Sequence, residues 1–391
     1  MRNARTSPRG SLLRQLSERE VLAALQGHGP LSRAEIMRRT GISGPTVTRT
    51  VSALLRAGLL EEGGARQQAL GRPGRVLRLA TKSVSVLGAI VGAKRCELIS
   101  AGLDGQIHAE HVRTFTTPER YRDLVNAFVR HARQMMAERE TQMQGLGISM
   151  PGLLNRRERR TVFSPNLHQT DGRQLGEDLK QRLGLETAIL QESHALCLAE
   201  MTYGEARGVA DFAMLDISEG LGVGVVHAGR ILEGHSGLGG ELGHITVDID
   251  GGKCGCGNRG CLETVATDTA LATAISSRLH RKLSIEEVVS LLREGEVKAE
   301  AELGEVLEYL AVGLAAVINI FNPSKVFVHG RLFDAGPDLF EQLFERTRRR
   351  ALAPSLADCA IVRARGNKRL GAIAGIIHRL TTGREEPLDT P

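Results

Sequence analysis

His244 is followed by Cys254, Cys256 and Cys261 in the run G-E-L-G-H-I-T-V-D-I-D-G-G-K-C-G-C-G-N-R-G-C-L-E, residues 240–263. One neutral imidazole and three thiolates are the donor set of a closed tetrahedral zinc site. Four protein ligands leave no position for a catalytic water, so the expected ion, Zn2+, is structural. Gly251, Gly252, Gly255, Gly257 and Gly260 remove side-chain bulk and let a short loop fold around a metal. Cys96, Cys197 and Cys359 are scattered and read as plain buried thiols. Six cysteines, three of them at metal spacing, fit a reducing cytoplasm better than a disulfide framework.

Such a loop needs regular elements on either side. Upstream, residues 212–226 read as two strands joined by G-L-G-V-G, and residues 188–207 as a strand followed by a helix. Downstream, residues 265–319 look mostly helical, with a capping box at Ser284-x-x-Glu287 and a long apolar-striped helix over 303–320. Residues 85–107 predict a two-stranded hairpin with a turn at Asp104-Gly105, and residues 121–138 an amphipathic helix that turns Leu124, Phe128 and Met135 inward. A helix over 369–380 closes the fold, and 385–391 read as a frayed tail.

The first 82 residues differ in character. They hold 15 Lys+Arg against 5 Asp+Glu, whereas the whole chain holds 51 against 45, leaving 36 against 40 for the rest. A basic head on a mildly acidic body points to a polyanionic partner. Ser17-x-x-Glu20 and Ser32-x-x-Glu35 predict two helix starts, with Gly27, Gly29 and Gly41 as stops. A third helix follows from a Ser43 cap to about residue 57. Its Val47, Val51, Leu54 and Leu55 form one apolar stripe, and Pro45, Arg49, Ser52 and Arg56 lie opposite, with Thr46 and Thr48 on the flanks. Helix, short turn and a helix with a basic outer face make a helix-turn-helix. Residues 71–75, Gly-Arg-Pro-Gly-Arg, before an alternating strand read as a wing whose Arg72 and Arg75 suit a narrow minor groove. The expected DNA-facing set is Ser43, Pro45, Thr46, Thr48, Arg49, Arg72 and Arg75.

A chain of 391 residues is long enough for two or three domains. No apolar run reaches 18 residues, so no membrane span is expected, and the polar start carries no secretory signal.

G-E-x-G-H followed by C-x-C-G-x-x-G-C-x-E resembles the ROK family of repressors and sugar kinases, and L-S-R-A-E-I-M-R-R-T-G-I-S-G-P-T-V-T-R-T with the later G-R-P resembles the head of its repressors. The resemblance implies a two-lobed actin-like ATPase body of the sugar kinase type, α/β in class, over residues 83–391. The lobes would divide near 190–200, and residues 1–82 would form a winged helix-turn-helix domain. It further implies that Glu241 and Glu263 accept hydrogen bonds from sugar hydroxyls, with His244 bridging zinc and sugar. Support of the zinc loop is the other role open to the two glutamates. Ser-Pro-Asn-Leu at 164–167 matches a family segment and makes Asn166 a candidate ligand-facing amide or a turn former.

Against the kinase pattern the phosphate and base positions are altered. Ile90 and Ala93 replace the first aspartate and a glycine, Leu221 a threonine and Arg331 a glycine. Glu192 is kept, but Ser193 and His194 stand at the Asn and Asp positions, leaving His194 as a ligand or structural residue. Isoleucine supplies no oxygen for magnesium. The implied function is a cytoplasmic, sugar-responsive transcriptional repressor without enzymatic activity. It would bind operator DNA as a homodimer or dimer of dimers and hold a sugar or sugar phosphate between its lobes. The alternatives are an ATP-dependent sugar kinase with a fused DNA-binding head, and a DNA-binding protein blind to ligand.

Overall fold

The chain enters helix α1 (Pro8–His28) earlier than its capping signal predicts. In this computed structural model, which describes residues 8–66, 74–81, 83–138 and 141–382, Ser17 and Glu20 lie in mid-helix, and no helix starts there. Leu12, Leu13, Arg14, Gln15 and Leu16 are all good helix formers, so the helix propagates through a pair that would otherwise begin it. The second box behaves as expected. After β1 (Leu31–Ser32), the Ser32 hydroxyl accepts from Glu35 N while the Glu35 carboxylate accepts from Ser32 N, starting α2 (Arg33–Thr40). Gly41, at φ 70°, turns the chain toward α3 (Gly44–Arg56). Strands β2 (Leu60–Arg66) and β3 (Gly74–Leu79) complete a small sheet in the order β1-β3-β2.

Next come β4 (Val84–Val91), β5 (Arg95–Ala101) and β6 (Ile107–Thr116), so the expected hairpin gains a third strand. Strand β6 is rich in polar residues (His108, Glu110, His111 and Arg113), which hides its strand character from a hydrophobicity pattern. Helix α4 (Tyr121–Ala137) leads to β7 (Gln142–Met150), the short pair β8 (Leu153–Asn155) and β9 (Arg160–Phe163), then α5 (Leu175–Leu183) and β10 (Glu186–Gln191). The five-stranded sheet runs β10-β7-β4-β5-β6, parallel between β4 and β7 and antiparallel from β4 through β6.

The remainder is α6 (Glu192–Tyr203), β11 (Phe212–Asp216), β12 (Gly222–His227), β13 (Arg230–Ile231), α7 (Asp268–Leu279), α8 (Ile285–Arg293), α9 (Glu300–Phe321), β14 (Lys325–His329), α10 (Leu339–Arg348), α11 (Ala353–Ala357), β15 (Ala360–Arg363) and α12 (Lys368–Thr382). The second sheet, β13-β12-β11-β14-β15, repeats the plan of the first: a central strand with parallel neighbours on one side and antiparallel ones on the other.

The chain divides into two compact units. One takes in the chain up to Met150, Gln174–Leu190 and the segment from Ala372, and the other takes in Pro151–Arg173 and Gln191–Gly371. In the first unit a single apolar cluster joins Val21, Ile36, Val47, Val51 and Leu54 of the helical head to Val84, Val86 and Ile99 of the sheet and to Ile373, Ile376 and Ile377 of α12. Gly147 lets α12 sit directly on that sheet, since a Cβ there would lie 1.8 Å from the Ala372 carbonyl oxygen. The core of the second unit is built on α9, whose Val306, Leu310, Leu314, Val317 and Ile318 are buried against β11 and β14 residues such as Leu215 and Val328. By length and composition alone α9 is apolar enough to cross a membrane. Its burial within this core accounts for that apolarity.

Candidate metal centre and ligand site

The glycine-rich loop folds back on itself through Val247 N to Gly260 O (2.8 Å), Cys254 N to Asn258 O (2.8 Å) and Leu262 N to Ile245 O (2.9 Å). Gly260, at φ 63°, must be glycine, because a Cβ would lie 1.5 Å from the Asp248 carbonyl oxygen. This closure collects His244, Cys254, Cys256 and Cys261 so that one donor atom from each lies within 4.8 Å of the others. Cys254 Sγ is 3.6 Å from His244 Nδ1, and Cys256 Sγ is 3.7 Å from Cys261 Sγ. Metal–sulfur bonds of about 2.3 Å and metal–nitrogen bonds of about 2.0–2.1 Å give tetrahedral edges of roughly 3.6–3.8 Å. Those two pairs match the edges of a closed S3N site, and the other donor pairs lie within 4.8 Å. Burial pushes the Cys254 and Cys261 thiols up, the form a bound dication would reverse by stabilising thiolate.

The carboxylates are tied to this cluster. Cys254 Sγ lies 3.4 Å from Glu263 Oε1, and Glu263 Oε2 accepts from Leu221 N at 3.2 Å. Glu241 Oε1 accepts from Gln191 Nε2 at 2.8 Å, and Glu241 Oε2 is 3.6 Å from His244 Nε2. His244 thus turns Nδ1 to the sulfurs and Nε2 to Glu241. In that arrangement a carboxylate fixes the tautomer of a metal-bound imidazole. Burial raises the Glu241 carboxyl against the pull of Gln191. Asn166 is exposed and rests on the loop, its Oδ1 3.4 Å from where a Gly255 Cβ would stand.

His194 is different. It is 4% exposed in α6, burial and the Arg156 charge push its ring down to about 4, and it shares no hydrogen bond with Glu241, Glu263 or His244 among the described residues. Its Nε2, together with Ser193 Oγ and Gln191 Oε1, is a buried polar atom without a hydrogen-bond partner.

Three residues of the site escaped the sequence reading: Gln191, Asp216 and Lys368. Lys368 Nζ lies 2.7 Å from Glu192 Oε1, 3.1 Å from Asp216 Oδ2 and 2.9 Å from Ser218 Oγ. Asp216 Oδ1 meets His329 Nδ1 at 3.0 Å. Burial disfavours the Lys368 ammonium, but the Asp216 and Glu192 carboxylates win and raise it above the usual lysine range. A lysine at the start of a helix carries no distinguishing pattern, so only the fold reveals its partners. Arg331 turns its guanidinium to Glu286 (2.8 Å), Leu221 is buried, and Ile90 sits half-buried in β4.

On α3 the structure exposes Ser43, Pro45, Thr48 and Arg49, with Thr46 half-buried and Val47, Thr50, Val51 and Leu54 inward. Ser43 occupies the cap position but makes no side-chain capping bond. Pro45, two residues on, has no N–H to offer, and the Ser43 hydroxyl turns to Thr46 Oγ1 at 3.0 Å. Exposed Arg75 is paired with Glu62, which also holds Arg33, and Arg72 lies outside the described residues.

A sequence model of the ROK family matches residues 86–378, and one of the MarR family matches residues 15–68. The chain is 28% identical to the xylose repressor of Bacillus subtilis over 329 residues, covering 84% of this chain and 85% of that one. It is 25% identical to the DNA-binding transcriptional dual regulator NagC of Escherichia coli, covering 95% of each. Among solved structures, a ROK family transcriptional regulator described as a homologue of the E. coli MLC protein aligns with a TM-score of 0.79 at 26% identity, over 95% of this chain and 97% of that one. The ROK hexokinase of Thermus thermophilus aligns with a TM-score of 0.59 at 28% identity, over 74% of this chain and 97% of the enzyme.

Proposed function

The chain belongs to the ROK family, and from that premise we propose that it is a sugar-responsive transcriptional repressor of the cytoplasm. The observation that carries the reading is coverage. The two relatives aligned over 95% of the chain, NagC and the regulator of known structure, are transcription regulators, whereas the hexokinase leaves about a quarter of the chain unmatched. In this reading residues 1–82 read operator DNA as a homodimer or dimer of dimers, and residues 83–391 bind the effector and hold the subunits together. Glu241, His244 and Glu263, with Asn166 and His194, take a sugar or sugar derivative, and His244, Cys254, Cys256 and Cys261 hold one structural Zn2+. Thermal-shift screening of xylose, glucose, N-acetylglucosamine and their phosphates tests the effector, and the absence of any shift would remove it.

The exposed row on α3 is the reading surface, with Arg49 at its centre and Arg72 and Arg75 on the wing. Truncating Arg49 removes a guanidinium that can bridge a base edge or a phosphate. Arg49→Ala is expected to weaken operator binding by about 10–100-fold, consistent with roughly 1–3 kcal/mol per base contact. Sugar affinity of the DNA-free protein should stay unchanged. Anisotropy titrations of a duplex selected from a random-sequence pool measure the first quantity and calorimetry the second.

The likeness to a hexokinase keeps catalysis as the second reading. The altered positions Ile90, Ala93, Leu221 and Arg331 argue against it, since none supplies the oxygen ligands that magnesium and phosphate require. Sugar-dependent release of ADP from ATP is expected to be absent, and its detection in purified protein would establish the kinase.

A further inference from the structure

We propose that Glu62 is a built-in competitor for DNA phosphate, which holds Arg33 and Arg75 in the free protein and so lowers the affinity of the head for DNA of any sequence. The proposal rests on the repressor reading above, in which residues 1–82 bind DNA.

The head holds five acidic residues: Glu18, Glu20, Glu35, Glu61 and Glu62. Two of them serve the local fold. Glu35 accepts from Ser32 N in the cap of α2, and Glu61 accepts from Thr81 N at 3.0 Å and pairs with Arg78 at 3.1 Å. Glu62 is the next residue of β2, and successive side chains of a strand point to opposite faces. Its carboxylate turns to Arg33, 3.2 Å from Oε1, and to Arg75 through Oε2. The two arginines meet there because β1 pairs with β3, setting Ser32 opposite Val76. All of these residues belong to the first compact unit.

The fold gains little from either arginine. Arg33 is the first residue of α2, where the helix dipole disfavours a cation. Arg75 leaves 73% of its side chain open at the start of β3. Exposed ion pairs of this kind add little to stability. Both positions suit a polyanion instead, since the helix before a reading helix crosses the phosphate backbone and a wing lies along a groove. Hydrogen bonds from Arg75 and then Arg33 hold the Glu62 carboxyl below the ordinary glutamate range, so it is charged at neutral pH. To meet a phosphate, each guanidinium must leave this carboxylate or bring it along. Leaving forfeits a charge-assisted hydrogen bond, and bringing it along sets two anions side by side. Backbone contacts carry no sequence information, so the penalty falls alike on operator and random DNA.

Glu62→Gln in the full-length chain keeps the side-chain shape and removes the charge. Anisotropy titrations without sugar, over about 50–200 mM salt, would use a duplex selected from a random-sequence pool and a scrambled duplex of equal length. Affinity for both should rise severalfold and by the same factor. The slope of log K against log salt should steepen by about 0.9 for each arginine that gains a phosphate, hence by about 0.9–1.8. Added to Arg75→Ala, the same substitution should steepen the slope by no more than about 0.9, because one arginine is left to release. Glu62→Ala should reproduce the steepening, so that a folding defect peculiar to one substitution does not decide the outcome. Unchanged affinity and slope overturn the proposal, as does a gain confined to one duplex. Weaker binding also overturns it, since Glu62 would then organise the arginines for DNA rather than compete with it. Unmodified protein that binds neither duplex refutes the DNA-reading head itself, and the proposal with it.

Discussion

If the second unit holds the proposed zinc, Cys256→Ser is expected to remove it and lower the melting temperature by about 10–20 °C. Four donors within 4.8 Å of one another lie on a loop with little apolar packing of its own: Ile249 is 86% exposed, and five of its residues are glycines. The ion is then what offsets the backbone entropy of ordering that loop. Loss of a structural metal belongs to the largest single-residue effects, on the order of 4–5 kcal/mol, and a domain of this size shifts by about 2–4 °C per kcal/mol. Serine is nearly isosteric but presents a hydroxyl that does not ionise at neutral pH, so the fall reports ligation rather than packing. The sugar response should go with it, because Glu263 and Glu241 take their positions from Cys254 and His244. Metal analysis and melting curves with and without chelator check this. Purified protein with no stoichiometric zinc would reject the site.

Glu241→Gln should separate sensing from reading. Glutamine keeps the shape and still offers an oxygen to Gln191 Nε2, so the fold around it is conserved. What is lost is the charge. Hydrogen bonds to charged groups are worth about 1.5–3 kcal/mol, so sugar affinity should drop roughly 10–150-fold. Operator affinity of the sugar-free protein should stay as it was, since Glu241 lies in the second unit and the reading helix in the first. A well-folded Glu241→Gln protein unable to bind operator would refute the division into a sensing body and a reading head.

The cluster of His244, Cys254, Cys256 and Cys261 was legible in the sequence because the four residues sit on one loop, where spacing alone fixes their proximity. Helix α3 was legible for a similar reason: its apolar stripe and its polar face follow from helical period within one short segment. Local signals failed where a neighbour outweighed them. The Ser17–Glu20 box was overrun by a helix already propagating from Pro8, and the Ser43 hydroxyl turned to Thr46 Oγ1 instead of capping a backbone N–H. The tertiary structure alone decided which distant residues meet. Lys368 finds Glu192 and Asp216 across 176 and 152 positions of chain, and Gln191 finds Glu241 across 50. A sequence pattern records how a segment repeats along itself. Such partners are chosen by the order of strands in a sheet and the helices laid on it, and no periodicity within either segment encodes that order.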